Sequence, residues 1–308
     1  MAELSIPQTQ IAAIVPEQGG PVEFDDNYPV SLPGEDEVLV RVLYTGVCQS
    51  DLNTKAGTAT GADGLPITNI KLPHVGGHEG VGRVVALGPN LTPNETLQLG
   101  TLVGIRFASR DIDPKVVGPT LCAGVTAYKA VRNAGLKKGD WLTVIGAGGG
   151  LGHFAVQYGL ALGAQVLGVD AGAEKQQFVE SLGAKFLDFT KCRDLADEVR
   201  RSTAGGTHAV VVTSGHPRAF QKLGDMIRIG GSLCIAGIPP GDVHLDVIKG
   251  LKIQGNLVGS LEETLEAVEM VRVGKVKVHV KVRPFRDLPD VYGMLEKGDI
   301  AGRIVLQL

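Results

Sequence analysis

The chain has 308 residues, of which 44% are hydrophobic and 20% are charged, and its formal net charge is -3. This length exceeds one average domain and the composition is ordinary for a globular protein, so two domains with sizeable cores are expected. The small net charge offers no basic stripe, which argues against nucleic acid or an anionic membrane as a partner.

The first residues of the chain, from Met1 to Gln8, include an acid and a proline. A signal or transit peptide would have basic residues and an apolar core in these positions. No apolar run reaches the length needed to span a membrane. The cysteines show neither a C-x-x-C pair nor the spacing of a disulfide framework, so reduced thiols are expected. These observations predict a cytoplasmic protein.

The N-terminal part, up to about Val117, has the pattern of strands. Apolar runs such as Val38 to Leu43 and Val81 to Leu87 are separated by clusters of Gly, Pro and Asn. This pattern predicts a small barrel-like β domain.

From Leu121 onwards, apolar strands alternate with amphipathic helices, which favours a parallel sheet with helices on both faces. The predicted strands are Trp141 to Ile145, Gln165 to Val169, His208 to Val212, Ser232 to Ala236, Leu251 to Val258 and Arg303 to Leu306. The predicted helices are Leu151 to Leu162, Leu261 to Val271 and Leu288 to Glu296. The fold class is therefore α/β, with a doubly wound sheet at 121–260 between a β domain at 1–120 and a segment at 261–308 that returns to it.

A glycine-rich turn lies between the first strand of this sheet and its helix. It comprises Gly146, Ala147, Gly148, Gly149, Gly150, Leu151 and Gly152. Glycines here permit a tight turn and let backbone N–H groups approach a pyrophosphate at the helix N-terminus. Asp170, at the end of the second strand, could accept hydrogen bonds from both adenosine ribose hydroxyls and repel a 2′-phosphate, which favours NAD over NADP. The alternative is a glycine-rich turn that binds nothing.

Two cysteines and one histidine, Cys48, Cys122 and His78, supply the ligand types of a catalytic zinc site with one open position. Packing is the alternative interpretation, since buried Cys and His are often not ligands.

The sequence motifs around these three residues are similar to those of a known enzyme family. They are Tyr44-Thr-Gly-Val-Cys-Gln-Ser-Asp51, Gly77-His-Glu-Gly-Val-Gly82 and Leu121-Cys-Ala-Gly-Val-Thr126. Together they resemble the zinc-dependent alcohol dehydrogenases of the medium-chain family, especially the yeast and fungal branch, and the likeness runs from about Ile11 to the C-terminus. It implies a GroES-like catalytic domain, a Rossmann domain, and hydride transfer between NAD and a small primary or secondary alcohol.

The resemblance also implies roles for individual residues. Ser50 would accept the substrate proton, Asp51 would orient His78, Glu79 would lie behind the zinc and bind it transiently, and Phe107 would form a wall of the substrate pocket. Lys175 would lie near the adenosine ribose and Arg303 would contact the pyrophosphate. A homo-oligomer is expected to form through the sheet edge near Leu251 to Val258.

The chain departs from the family pattern in four places. Only Ala108 to Leu121 follow Phe107 where the family has a structural-zinc lobe and two strands, so one catalytic zinc and no structural zinc is expected. Ala56 stands where a relay histidine is common, Gln49 stands at a site that is often basic, and the loop from Thr58 to Ile70 is long.

The missing lobe would leave strand edges and apolar faces uncovered. It leaves three interpretations open: a working enzyme with a re-closed barrel, a non-catalytic NAD-binding relative, or an altered splice product that folds poorly. A zinc-free reductase of the same superfamily is a further alternative.

Overall fold

The computed structural model describes residues 5–61, 65–94, 97–104, 107–108, 112–239, 241–245 and 249–308. The chain divides into two compact units. The β unit comprises Met1–Leu121, Val280–Asp299 and Ile304–Leu308, and the α/β unit comprises Cys122–His279 and Ile300–Arg303. Among the described residues, no helix is both long enough and apolar enough to cross a membrane.

Within the described residues, the β unit contains two sheets and three α-helices. Its strands are β1 (Thr9–Val15), β2 (Glu23–Pro29), β3 (Val38–Gly46), β4 (His74–Val75), β5 (Glu79–Leu87), β6 (Leu102–Gly104), β7 (Phe107–Ala108), and, from the end of the chain, β14 (Val280–Pro284) and β15 (Arg303–Gln307). Its helices are α1 (Gln49–Ala56), α2 (Pro114–Pro119) and, near the C-terminus, α9 (Leu288–Lys297). One sheet has the order β2-β1-β4 and the other the order β14-β15-β3-β5-β6-β7. The two apolar runs predicted as strands form the antiparallel pair β3–β5.

The α/β unit contains a six-stranded sheet in the order β10-β9-β8-β11-β12-β13. These strands are β8 (Trp141–Ile145), β9 (Gln165–Asp170), β10 (Lys185–Asp188), β11 (Thr207–Val212), β12 (Ile227–Ile235) and β13 (Lys252–Gly255). The helices are α3 (Val125–Asn133), α4 (Gly152–Ala161), α5 (Ala173–Ser181), α6 (Leu195–Ser202), α7 (Leu223–Met226) and α8 (Leu261–Arg272). The strand pairs are parallel. The predicted α/β class with a GroES-like domain and a doubly wound sheet is confirmed.

The strands of this sheet differ in burial and in apolar content. All five residues of β8 are buried, as expected for a strand covered on both faces of a parallel sheet. Strand β10 was not predicted, because only Phe186 and Leu187 are apolar among its four residues. Strand β13 is shorter than predicted, and each of its residues is exposed.

The division between the units differs from the predicted one at helix α8. The sequence analysis assigned 261–308 to the returning segment, whereas α8 lies within the α/β unit. Ala267 on this helix is fully buried in the apolar cluster that also contains Leu142 and Phe154. Burial of its apolar face therefore keeps α8 with the sheet, and the return begins at Val280.

Candidate metal and nucleotide sites

The thiol of Cys48 lies at the start of helix α1. Cys48 has an extended backbone and directly precedes the first helical residue. Its backbone N–H donates to Asp51 Oδ2 at 3.2 Å, which satisfies one of the donors left open at a helix N-terminus. The positive end of the helix dipole lowers the cost of ionising a thiol at this position. The Cys-Gln-Ser-Asp sequence thus fixes a buried thiol at a helix start.

Asp51 connects this helix to His78. Its Oδ1 accepts hydrogen bonds from His78 Nδ1 at 2.8 Å and from the Gly77 N–H at 3.2 Å. Only 6% of the Asp51 surface is exposed. Because a carboxylate only accepts, Nδ1 of His78 carries the hydrogen and Nε2 remains for a metal. Gly77 has a φ of +102°, a conformation that most other residues avoid.

The hydrogen bond to Asp51, followed by that with Cys48, raises the pKa of His78 to about 11. A cation that binds at Nε2 must displace the proton held there. Metal binding at this site is therefore expected to release protons.

Four side chains bring their ligand atoms within 4.8 Å of one another: Cys48, His78, Glu79 and Cys122. Two thiols, an imidazole and a carboxylate form a donor set that suits Zn²⁺. The three predicted ligands are therefore together, and Glu79 joins them. This donor set fits the zinc that the sequence implied.

Local backbone features place Glu79 and Cys122. A Cβ on Gly46 would lie 1.9 Å from Glu79 Oε2, and a Cβ on Gly118 would lie 2.2 Å from the Glu79 carbonyl oxygen. Both glycines therefore make room for this buried glutamate. Cys122 lies in a π-helical segment, Thr120–Gly124, that directly follows α2; such segments are frequent at functional sites.

Two other predicted site residues, Ser50 and Phe107, lie in the β unit. Ser50 is exposed in the first turn of α1, and its hydroxyl oxygen is 3.7 Å from Cys48 Sγ. Cys48, rather than Ser50, occupies the N-cap position of α1. Phe107 lies in strand β7, but its side chain is outside the described part of the structure.

The glycine-rich turn connects β8 to α4 in the α/β unit. Gly146 has a φ of +84°, and a Cβ on Gly152 would lie 2.0 Å from the Gly146 carbonyl oxygen. The helix can therefore approach the strand only because position 152 is a glycine. A Cβ on Gly150 would lie 2.8 Å from Arg303 Cδ, and one on Gly148 would lie 2.8 Å from Lys175 Cβ.

Asp170 closes the other side of this turn. Its Oδ2 accepts from the Gly148 N–H at 2.9 Å, while Oδ1 accepts from the Ala171 N–H at 2.9 Å and from Lys175 Nζ at 3.1 Å. Only 7% of Asp170 is exposed. The predicted residues Asp170, Lys175 and Arg303 thus all lie at the glycine-rich turn. The backbone of the turn, which has few side chains, and the acid at the end of the second strand fit a dinucleotide.

His153 was not among the predicted site residues, although it follows the glycine motif directly. It is fully buried in the first turn of α4, and its Nδ1 lies 3.2 Å from the Gly149 carbonyl oxygen. A histidine immediately after the last glycine was the sequence signal for it.

Comparisons with known proteins identify the family of this chain. The model of the alcohol dehydrogenase GroES-like domain matches residues 34–159, and that of the zinc-binding dehydrogenases matches residues 150–272. An alcohol dehydrogenase of Schizosaccharomyces pombe is 36% identical over 359 residues, covering 99% of each chain. The chain belongs to the zinc-type alcohol dehydrogenases. Alcohol dehydrogenase 1 of Emericella nidulans is 33% identical over 360 residues, again covering 99% of both chains.

The solved structures support the same family. The alcohol dehydrogenase of the archaeon Aeropyrum pernix has a TM-score of 0.84 and 28% identity, covering 97% of this chain and 100% of that one. A structure described as an NAD-dependent alcohol dehydrogenase shares the fold, with a TM-score of 0.85 at 24% identity and coverage of 97% and 100%. The predicted membership of the medium-chain dehydrogenase/reductase family, in its fungal branch, is confirmed.

The alignment with the S. pombe alcohol dehydrogenase is longer than this chain. It spans 359 residues, whereas the chain has 308. The relative therefore has residues that this alcohol dehydrogenase lacks. That they form the structural-zinc lobe remains a prediction.

Proposed function

We propose that this alcohol dehydrogenase uses zinc and NAD to interconvert small primary or secondary alcohols and their aldehydes or ketones. The observation that carries the proposal is the set of four ligand atoms within 4.8 Å of one another. A catalytic zinc site has three protein ligands and one open position, and Cys48, His78 and Cys122 are assigned as the three. Glu79 is assigned a transient contact with the metal.

When bound, zinc supplies a Lewis acid and NAD supplies a hydride acceptor. Asp51 keeps the His78 ring in one tautomer and orientation, so that Nε2 is the ligand atom. Ser50 accepts the substrate proton at its exposed hydroxyl. Because Ala56 replaces the relay histidine, the proton passes from Ser50 towards ribose and water. Phe107 forms a wall of the substrate pocket.

The cofactor assignment depends on the buried carboxylate of Asp170. An acid at the end of the second strand accepts from ribose hydroxyls and disfavours a 2′-phosphate. Lys175, already bonded to this carboxylate, is assigned to the same ribose, and the glycine-rich turn and Arg303 are assigned to the pyrophosphate. The fold is shared with an NAD-dependent alcohol dehydrogenase, which supports NAD.

Three further assignments complete the proposal. The chain carries one catalytic zinc and no structural zinc, and it acts in the cytoplasm. It forms a homo-oligomer through the exposed edge strand β13, where a strand can pair with its symmetry mate.

Zinc content per chain after dialysis tests the metal assignment before any substrate is known. One tightly held zinc is expected, and Cys122→Ala should lose it. Cys192→Ala is the matched control, since Cys192 is a partly buried cysteine outside the ligand cluster. A purified chain without zinc would contradict the proposal.

The second experiment is turnover of a panel of alcohols and aldehydes with NAD or NADH. Turnover that is abolished by removing zinc supports the proposal. Turnover that resists a chelator would favour the zinc-free reductase, and NAD binding without turnover of any compound would favour a non-catalytic relative.

A further inference from the structure

His153 donates to the glycine-rich turn with both of its hydrogen-bond donors. Its backbone N–H donates to the Gly149 carbonyl oxygen at 3.1 Å, and Nδ1 lies 3.2 Å from the same oxygen. Because a carbonyl oxygen only accepts, Nδ1 must carry the hydrogen. The imidazole is thus a side-chain donor to the turn.

The rest of the ring lies in an apolar setting. Its centroid is 4.3 Å from that of Phe154, 6.0 Å from that of Phe178 and 6.1 Å from that of His279. Nε2 is buried and has no hydrogen-bond partner within the described part of the chain. Burial lowers the pKa of His153 to about 3, and the charge of Arg303 and that of His279 act in the same direction. The ring is therefore neutral at ordinary pH, with its single hydrogen on Nδ1.

This contact fixes the orientation of one peptide plane. In a planar trans peptide, the C=O and the following N–H point in opposite directions. Holding the Gly149 carbonyl oxygen towards His153 therefore holds the Gly150 N–H on the other side. Neither residue has a Cβ to restrict rotation of this peptide, so the side-chain bond adds a second donor to the backbone N–H of His153 in holding this orientation.

We propose that His153 is a positioning residue for the pyrophosphate of the cofactor: it holds the Gly149–Gly150 peptide in the orientation that presents its N–H to phosphate. This inference rests on the proposed use of NAD. His153 does not touch the cofactor; it acts through the peptide.

Two substitutions separate this role from packing. His153→Asn keeps a donor near the position of Nδ1 but removes most of the ring, whereas His153→Phe keeps a ring but removes the donor. A buried neutral hydrogen bond contributes about 1 kcal/mol, so Phe should weaken ADP-ribose binding roughly fivefold. Asn should bind ADP-ribose more tightly than Phe does. A packing role predicts the reverse order.

Calorimetric binding of ADP-ribose and of adenosine, without substrate, provides the readout. Both variants should bind adenosine as the unaltered protein does, because adenosine lacks the pyrophosphate. Equal loss of affinity for adenosine and ADP-ribose, or unchanged affinity in His153→Phe, would overturn the inference. If the unaltered protein binds neither ADP-ribose nor NAD, the proposed function itself fails, and this outcome is distinct from the first two.

A measurement on the unaltered protein keeps the inference testable if either variant does not fold. Nitrogen-15 NMR of the histidines between pH 6 and pH 8 should show, besides the metal-bound His78, a neutral His153 ring with its hydrogen on Nδ1 and no change with pH. A His153 ring with its hydrogen on Nε2, or one that titrates in this range, would overturn the inference.

Discussion

The two units hold their candidate sites by different means. In the α/β unit, the glycine-rich turn follows a fully buried strand and precedes a helix whose Phe154 and Tyr158 are completely buried in an apolar cluster. In the β unit, one carboxylate, that of Asp51, bonds the candidate ligands Cys48 and His78 and the N–H of Gly77. Apolar packing therefore supports the candidate nucleotide site, whereas polar contacts support the candidate metal site. Substitutions can test each kind of support separately.

The β unit exposes apolar side chains on its strands. Ile11 on β1 is 48% exposed and Val42 on β3 is 37% exposed, and both line a cavity of about 460 Å³. Exposed apolar surface of this kind often marks a contact site or an uncovered face. That the missing lobe would cover this surface remains a prediction.

The largest effect is expected from the core of the α/β unit. Phe154→Ala removes a fully buried ring and should lower the free energy of unfolding by about 3–5 kcal/mol. Phe189→Ala is the control, since Phe189 is 40% exposed and should cost far less. Urea unfolding of both variants provides the measurement. Equal losses would show that the apolar cluster does not dominate this unit.

In the β unit, a nearly isosteric substitution of Asp51 should weaken metal binding while leaving the fold intact. Asp51→Asn removes the charge that orients His78 and should weaken zinc binding by roughly 10–100-fold. Competition with a chelator measures this affinity. Asp113→Asn, at the start of α2, changes an acid outside the ligand network and should retain zinc. Unchanged zinc affinity in Asp51→Asn would contradict the proposed role of Asp51 in orienting His78.

The two candidate sites also differ in how far they could be predicted from the sequence. The glycine-rich turn and Asp170 could be predicted because a strand, a helix and their spacing are all local in the sequence. The boundary between the two units at Val280 could not be predicted, since it depends on burial of Ala267 in an apolar cluster that forms only on folding. Strand β10 carries too few apolar residues to be visible in a pattern.

The metal cluster was predicted through resemblance rather than spacing. Cys48, His78 and Cys122 are far apart in the sequence, and no local rule brings them together. The hydrogen bonds of Asp51 and the glycines at 46 and 118 that make room for Glu79 are tertiary features. The position of His153 after the last glycine was visible in the sequence, but its contact with the Gly149 carbonyl oxygen is a feature of the folded chain.

A smaller effect is expected for cofactor selectivity. Asp170→Ser removes the carboxylate that repels a 2′-phosphate and bonds ribose hydroxyls, so NAD binding should weaken roughly tenfold, the loss expected from about 1.4 kcal/mol of hydrogen bonding. The affinity for NADP relative to NAD should rise. Glu180→Ser on the adjacent helix serves as the control. If both affinities fall by the same factor, Asp170 maintains the turn but does not select the cofactor.

The last effect concerns acid and distinguishes the buried histidine from exposed ones. The folded-state pKa of His153 is about 3, whereas an unfolded histidine has a pKa near 6.5. The unfolded chain therefore binds the extra proton first, so stability is complete above about pH 6.5 and declines as the pH falls towards 3. A single site contributes a slope of at most about 1.4 kcal/mol per pH unit.

Thermal unfolding of the zinc-loaded protein between pH 7 and pH 5 should measure this slope. His153→Asn should flatten it, whereas His216→Asn, at an exposed position, should not. This window lies above the range in which carboxylates such as Asp188 titrate. The half-buried His279, whose pKa is also lowered by burial, is present in both variants. An identical slope in His153→Asn and the unaltered protein would mean that His153 gains its proton over the same pH range in the folded and unfolded chains, which contradicts a folded-state pKa of about 3.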